Sequence, residues 1–437
     1  MNMDTEKALF LGERVGADEV EVYAISTRSI GIEIERDTIE LARESLVQGL
    51  GIRVILNGAV GYASTNREDK ICDAATLAVK TAKTRKSNPK WKEFPSNSKQ
   101  STVKGLYDKR IENISVEDCI DHALEMIRGA AGIIENHPVT GKLTCTTTQQ
   151  EILNTNGVST RENTTAADAF IETISTRDGQ TATAYDFEVS RKIDNINFYK
   201  IGKNAAELSR QSLAPTKILP KTTTVLLQPM AIADLIDYTF VPALSAENVQ
   251  KNRSNLIGKL NTRIAGEDLT ITDDGLMEGG LRSAATDDEG TPSQRTTVIE
   301  NGVLQTYLYD KYTADQDNTI STANALRYTY NQTPVISTRN FTIQHPDSRI
   351  IEETRSGVII HNLIGAHTAN PITGDFSVEA RNSFTIADGE ITEPIKTLMI
   401  PGNIFELLQK ISGADSDVKN LGSTVTPTIR IEDVKII

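Results

Sequence analysis

The sequence predicts an α+β protein in two parts, on three observations. Apolar and polar residues alternate over many short stretches, as half-buried antiparallel strands require. Turn signals of the Asn-Gly and Asp-Gly kind, at Asn57-Gly58, Asp178-Gly179, Asn301-Gly302 and Asp388-Gly389, stand between those stretches. Amphipathic helical stretches stand beside the hairpins instead of alternating with single strands, so the strands pair with their sequence neighbours.

Taken in order, a helix is predicted over 4–15, then strands over 19–27 and 29–36. The run from Gly49 to Ser64 is glycine-rich, but 53–56 has a strand pattern and Asn57-Gly58 leads into a second strand. A phosphate-binding loop would instead open onto a helix N-terminus, so a nucleotide loop is not expected here. A helix follows over 70–83, and the Pro-, Ser-, Asn- and Lys-rich stretch 86–104 reads as a surface loop. A second strong helix begins at Ser115, with Asp118 in the capping-box position, and runs toward Glu135. Strands are predicted over 142–149, 150–154, 168–177 and 182–189, with turns at 154–157 and 177–179. Pro215 and Pro220 bracket a polar stretch, which places a boundary between an α+β part, 1–220, and a β-rich part, 221–437. The second part reads as a mostly antiparallel, curved or barrel-like sheet. Its hairpins turn at Asn301-Gly302 and Asp388-Gly389, and its helices are expected over 229–238, 246–260 and 404–411. No internal repeat is visible in the sequence.

Composition narrows the class. The chain has 437 residues, 38% hydrophobic and 24% charged, with 46 Lys+Arg against 59 Asp+Glu and a net charge of −13. No apolar run approaches the ~20 residues of a membrane-spanning helix. The first residues turn acidic before any apolar stretch, unlike a secretory signal. The acidic balance, with no basic cluster beyond 80–92, disfavours wholesale nucleic-acid binding. Cys72, Cys119 and Cys145 show no CxxC spacing and read as buried small hydrophobes in a reducing compartment, so a cytoplasmic protein is expected.

Catalytic machinery is sparse. His122 lies within a helix, His137 precedes Pro138 in a loop and His345 sits in turn chemistry. His361 and His367 flank Gly365 and converge only if the chain bends between them, and no HExxH pairing exists. The acidic clusters Asp273-Asp274 and Asp287-Asp288-Glu289 suit a hard cation or an acid–base pair. The blander reading is turn acids, one of each adjacent pair being solvated. No GxSxG nucleophile elbow is present.

Several stretches together resemble the TldD/PmbA family, also called modulators of DNA gyrase. They are Gly49 to Thr65, Asp287 to Asp310, Ser337-Thr-Arg-Asn-Phe-Thr342, and Thr373-Gly-Asp-Phe-Ser377 through Asn382-Ser-Phe384 and Asp388-Gly-Glu390. The resemblance runs in order over nearly the whole chain. It implies a pair of homologous subunits in a cytosolic protease. One type, TldD, carries an HExxxH motif whose histidines hold zinc together with a cysteine near the C-terminus. The other, PmbA or TldE, lacks them.

In this sequence Tyr238, Thr239 and Ala243 stand where HExxxH would be, and no cysteine follows Gly402. The resemblance therefore implies a PmbA/TldE-like subunit with no metal and no catalytic residue of its own. Zinc is expected in a TldD-like partner, and unfolded peptide is the expected substrate. The residues in the matching motifs that it nominates for a substrate channel or interface are Asp288, Glu289, Arg295, Arg339, Asn340 and Asp375. Two other readings stay open. One is a self-sufficient metallopeptidase or hydrolase using His361, His367 or the 287–289 acids; the other is a stand-alone homodimeric binding protein.

Overall fold

A computed structural model describes residues 3–96, 98–133 and 138–437. Helix α1 (Thr5–Arg14) starts at Asp4, whose carboxylate accepts from the Lys7 N–H at 2.8 Å. Strands β1 (Glu19–Glu35), β2 (Thr38–Leu56) and β3 (Ala59–Thr65) form a meander, followed by α2 (Ile71–Thr84). After the short α3 (Lys109–Glu112) come α4 (Val116–Ala131), β4 (Val139–Asn154), β5 (Ser159–Arg177), β6 (Gln180–Ser190) and α5 (Phe198–Gln211). The six strands make one sheet in the order β3-β2-β1-β4-β5-β6, with every pair antiparallel.

That order is palindromic. Helix, three-stranded meander and helix occur twice, and the two copies join where β1 pairs with β4. The repeat escaped the sequence because it lies in topology and not in residue identity. The helices cover one face of the sheet, and Val20, Val22, Ala24, Ile30, Ile32 and Ile34 of β1 all point into the cores beneath them. The opposite face carries hydroxyls, with Thr27 and Thr148 at 3.1 Å and Ser29 and Thr146 at 3.5 Å.

Other expectations need correction. The pairs of strands expected over 19–36 and 142–154 are single long strands, because Arg28 keeps register with both Leu46 and Thr147. Helix α5 was not anticipated. Asn197 caps it through the Lys200 N–H at 3.0 Å, and Gly202 lets it cross α4 backbone to backbone. The capping box at Ser115 and Asp118 is present as read, whereas Glu135 and His137 lie outside the described residues. Cys119 and Cys145 are buried, but Cys72, expected buried, is exposed on α2. The described residues of the 86–104 stretch form no helix or strand, but they are pinned to the molecule. Phe94 is fully buried, and Trp91 stacks on Tyr312 with ring centroids 4.7 Å apart.

From residue 221 on the elements form separate sheets. In chain order they are β7 (Lys221–Leu227), α6 (Pro229–Leu244), α7 (Ala246–Gln250), β8 (Thr270–Asp274), β9 (Arg295–Glu300) and β10 (Val303–Leu304). Next come α8 (Lys311–Asp317), β11 (Ala325–Leu326), β12 (Val335–Ile336), β13 (Phe341–Gln344), α9 (Ile350–Glu353), β14 (Ser356–Ile364) and β15 (Asp375–Ala387). The chain ends with β16 (Glu390–Ile395), β17 (Leu398–Asn403), α10 (Ile404–Gln409), β18 (Ile411–Ala414), β19 (Lys419–Asn420), β20 (Thr424–Thr426) and β21 (Ile429–Ile436). One sheet runs β10-β9-β8-β13-β20-β19 and another β16-β15-β14-β7-β21-β18, with β17 on β15. Most pairings are antiparallel, but β14 with β7 and β13 with β20 are parallel.

Helix α6 sits in the largest core and is mostly buried and apolar apart from Asp234, Asp237 and Tyr238, so burial carries it past Pro242 and beyond the expected end at 238. The helix expected over 246–260 stops after Gln250. Asn252 and Gly258 have φ of 56° and 71°, and Ser254 Oγ turns back to accept from the Leu256 N–H at 3.0 Å. The 404–411 helix ends at Gln409, and Ile411 opens β18.

Candidate functional site

Helix α6 positions the residues where a zinc motif was sought. Tyr238 is 48% exposed and packs edge-on to His367 with ring centroids 6.3 Å apart. Thr239 is buried, and its hydroxyl donates to the Leu235 carbonyl one turn back. Ala243 offers no donor atom. The carboxylates on this helix are Asp234 and Asp237, three residues apart and therefore on neighbouring positions of one face. Asp237 accepts from Ser423 Oγ and Thr424 Oγ1, both at 2.8 Å. Burial pushes the Asp234 carboxyl up to about 6, and Asp237 beside it adds to the shift. The sequence reading missed both acids, although their spacing within the 229–238 helix was visible.

Zinc needs several imidazole, thiolate or carboxylate donors converging on one point. Among the described residues no group of three or more His, Cys, Asp or Glu is placed to hold a metal ion. His361 is on β14, its Nδ1 2.6 Å from Gln228 Oε1, while His367 is in the turn after that strand. They have separate neighbours and form no pair. His122 stacks on Phe198 at 4.4 Å, and His345 Nδ1 lies 3.1 Å from the Pro346 carbonyl in its turn. The residues at the HExxxH position do not fit zinc.

The Asp287–Glu289 acids stand at a buried junction between the first sheet and the 221–437 half. Arg53 of β2 pairs in register with Glu21 of β1 and binds it at 2.6 Å, and the same nitrogen binds Glu289 at 2.7 Å. Arg327 pairs with Glu21 from the other side, and its backbone N–H donates to Asp288 at 2.6 Å. Gln150 of β4 donates to the second Asp288 oxygen at 2.8 Å. Rings complete the enclosure: Phe94 lies 4.7 Å from the Arg53 guanidinium and Tyr23 lies 4.9 Å from that of Arg327.

The expectation that one acid of each adjacent pair is solvated fails here, because Asp287, Asp288 and Glu289 are 0%, 5% and 1% exposed. Asp287 accepts from the Glu289, Thr291 and Ala325 N–H groups. Burial and the neighbouring Glu289 raise its pKa. Arg339 and Asn340, just before β13, are equally buried, and the Arg339 guanidinium donates to the Thr286 carbonyl at 2.8 Å. The Arg339 N–H donates to Asp273 at 2.7 Å, and Asn340 Nδ2 donates to the Asp274 carbonyl at 2.6 Å. The remaining two nominated residues lie elsewhere. Arg295 is exposed at the start of β9, 4.0 Å from Asp274, and Asp375 is exposed at the start of β15, bonded to Thr373 and Asn403. The structure thus gathers Asp288, Glu289, Arg339 and Asn340 into an interior junction and leaves Arg295 and Asp375 outside it. Glu21, Arg53 and Arg327, which complete the junction, come from distant segments; Arg53 lies in the family-like stretch 49–65, but none of the three was singled out.

Comparison with known proteins agrees with this architecture. Residues 20–84 match PmbA/TldA metallopeptidase domain 1, residues 109–213 the central domain and residues 220–437 the C-terminal domain. An uncharacterised protein of Methanocaldococcus jannaschii is 34% identical over 429 residues, covering 98% of each chain. A metalloprotease of Methanothermobacter thermautotrophicus is 24% identical over 411 residues, covering 91% of this chain and 88% of its own. The crystal structure of TldE from Thermococcus kodakarensis superposes with a TM-score of 0.92 at 27% identity, covering 99% of both chains.

Proposed function

This chain belongs to the PmbA/TldD metallopeptidase family, and on that premise we propose that it is the TldE-like subunit of a two-subunit cytoplasmic protease. In this reading a TldD-like partner with an HExxxH helix holds the zinc and cleaves unfolded peptide, and this chain completes the enclosure around it. The observation that carries the reading is the donor set on α6, where Tyr238, Thr239 and Ala243 leave no imidazole or carboxylate at the three motif positions. Without a bound metal the ordinary means of lowering a water's pKa for attack on a peptide is missing.

The hydroxyl-lined open face of the first sheet supports a passive role toward substrate. Thr27, Ser29, Thr146 and Thr148 offer uncharged hydrogen-bonding groups to a passing main chain.

The test is cleavage of an unfolded protein such as reduced casein by this chain alone, by an HExxxH-bearing family member alone, and by the two together, each with added zinc. Activity that requires the HExxxH chain, and that this chain raises when added, supports the proposal. Zinc-dependent cleavage by this chain alone overturns it.

A further inference from the structure

The first sheet has an edge that its own chain leaves open. Strand β2 runs from Thr38 to Leu56, but β3 pairs with it only over Leu50 to Leu56. Over 38–49, β1 lies on one side and no strand among the described residues lies on the other. Positions 40–47 are all exposed, so neither face of this stretch is covered.

The doubled unit shows what such a stretch receives elsewhere. Strand β5 is the counterpart of β2, and its matching stretch, 159–166, precedes the pairing with β6 that begins at Ala167. There the chain covers its own edge: the Thr165 N–H donates to the Leu106 carbonyl at 3.0 Å, and Gln100 Nε2 donates to the Ser159 carbonyl at 2.8 Å. Bare edges without such cover are usually blunted by lysine or proline, because their free N–H and C=O groups invite another strand. Between Thr38 and Gly49 there is neither, while Leu41, Leu46 and Val47 are exposed. Their cross-strand partners fix their directions. Glu33 and Thr27 put Leu41 and Val47 on the hydroxyl-lined face, and Ile32 and Arg28 put Ala42 and Leu46 on the helix side.

We propose that this edge pairs antiparallel with the same edge of a second copy of the chain, about a two-fold axis at Glu44. Such an axis stands perpendicular to the sheet and opposes only residues of like face, which leaves few registers. Centred on Glu44, Leu41 of one copy meets Val47 of the other and Ala42 meets Leu46, each contact occurring twice. Every exposed apolar side chain of the stretch then has an apolar mate. Glu44 faces its own mate, but Arg28 Nε stands 2.5 Å from each carboxylate and supplies the counter-charge. The neighbouring registers fit worse. Centred on Arg43, that unpaired cation meets itself and Leu46 meets Glu40; centred on Ser45, Leu46 meets Glu44 and Val47 meets Arg43. The pairing makes one continuous sheet whose two hydroxyl-lined faces lie on the same side. It does not rest on the subunit reading, since association of this chain and cleavage by a partner are measured separately.

The test is sedimentation equilibrium of the full chain at about 100 μM, with two sets of variants. The chain is expected to be a dimer, and Leu46→Lys with Val47→Lys to be a monomer. In a Cys72→Ser background, Glu44→Cys is expected to cross-link two copies through a disulfide under mild oxidation, because the residue faces itself. Glu40→Cys is not, because its two copies stand ~27 Å apart along the strands. A monomeric chain overturns the proposal. So does a dimer that survives both lysines and that Glu44→Cys does not cross-link. A chain that is monomeric alone, yet loses a complex with an HExxxH-bearing family member when the lysines are introduced, also overturns it and gives the edge to that homologous subunit instead.

Discussion

Arg53 is 4% exposed and holds two buried carboxylates that no other charged side chain among the described residues reaches together. Replacing it with methionine strands Glu289 with a single backbone donor, from Lys311, and leaves Glu21 to Arg327 alone. Breaking a buried ion pair from one side costs about 3–5 kcal/mol. Arg53→Met should therefore lower the urea-unfolding free energy by about that amount, and a loss below about 1 kcal/mol would mean that the junction is not electrostatically tight. His361 gives a pH-dependent counterpart. Folded, it takes its proton near pH 4; unfolded, near its ordinary 6.5. Between those values the unfolded chain binds the extra proton, so stability attributable to this residue is lost as pH falls through that window. Lys419 and Asp186, which face the ring with opposite signs, are unchanged in His361→Gln. That variant should lose less stability than the parent between pH 7 and pH 4.5, and parallel losses would contradict the burial argument. At this scale the sequence announced the acids at 287–289 but not their partners, because Arg53 stands 236 residues from Glu289.

At the scale of elements, hairpins were the most legible features. Asn57, Asn301 and Asp388 adopt φ of 50°, 48° and 49°, and each is followed by a glycine also at positive φ, so the turn chemistry and the fold agree. Helix α5 was not legible, since a glycine in a helical stretch weakens the helical pattern when read alone. The structure gives that glycine its reason. A Cβ on Gly202 would come 1.9 Å from the Met126 carbonyl, and one on Gly129 would come 2.0 Å from the Tyr199 carbonyl. The two helices touch through both residues. Gly202→Ala should thus destabilise the chain by about 1–3 kcal/mol through forced separation of the pair. Gly31→Ala, where a Cβ meets open space, should be close to neutral. Thermal unfolding of the two variants tests this contrast, and equal midpoints would show that the helix crossing is loose. The truncated 246–260 helix has the opposite lesson: its pattern was helical, but local bonds from Ser254 and left-handed Asn252 prevailed.

At the scale of the molecule, the two-part α+β architecture was legible from strand pairing and turns, whereas the doubled helix–meander–helix unit was not, because it repeats in topology alone. The resemblance carried the family, and the three matched regions span the sheet, its helices and the β-rich half. Composition and spacing could not reach the assembly, since the proposed subunit role rests on which residues stand at the three motif positions, Tyr238, Thr239 and Ala243. The proposal that this chain works beside a zinc-bearing relative is tested most directly by native mass spectrometry of the chain alone and co-expressed with an HExxxH-bearing family member. The account predicts a metal-free mass for this chain alone, and a mixed complex of both chains carrying zinc. One zinc per copy of this chain on its own, or no complex containing both chains, would contradict it.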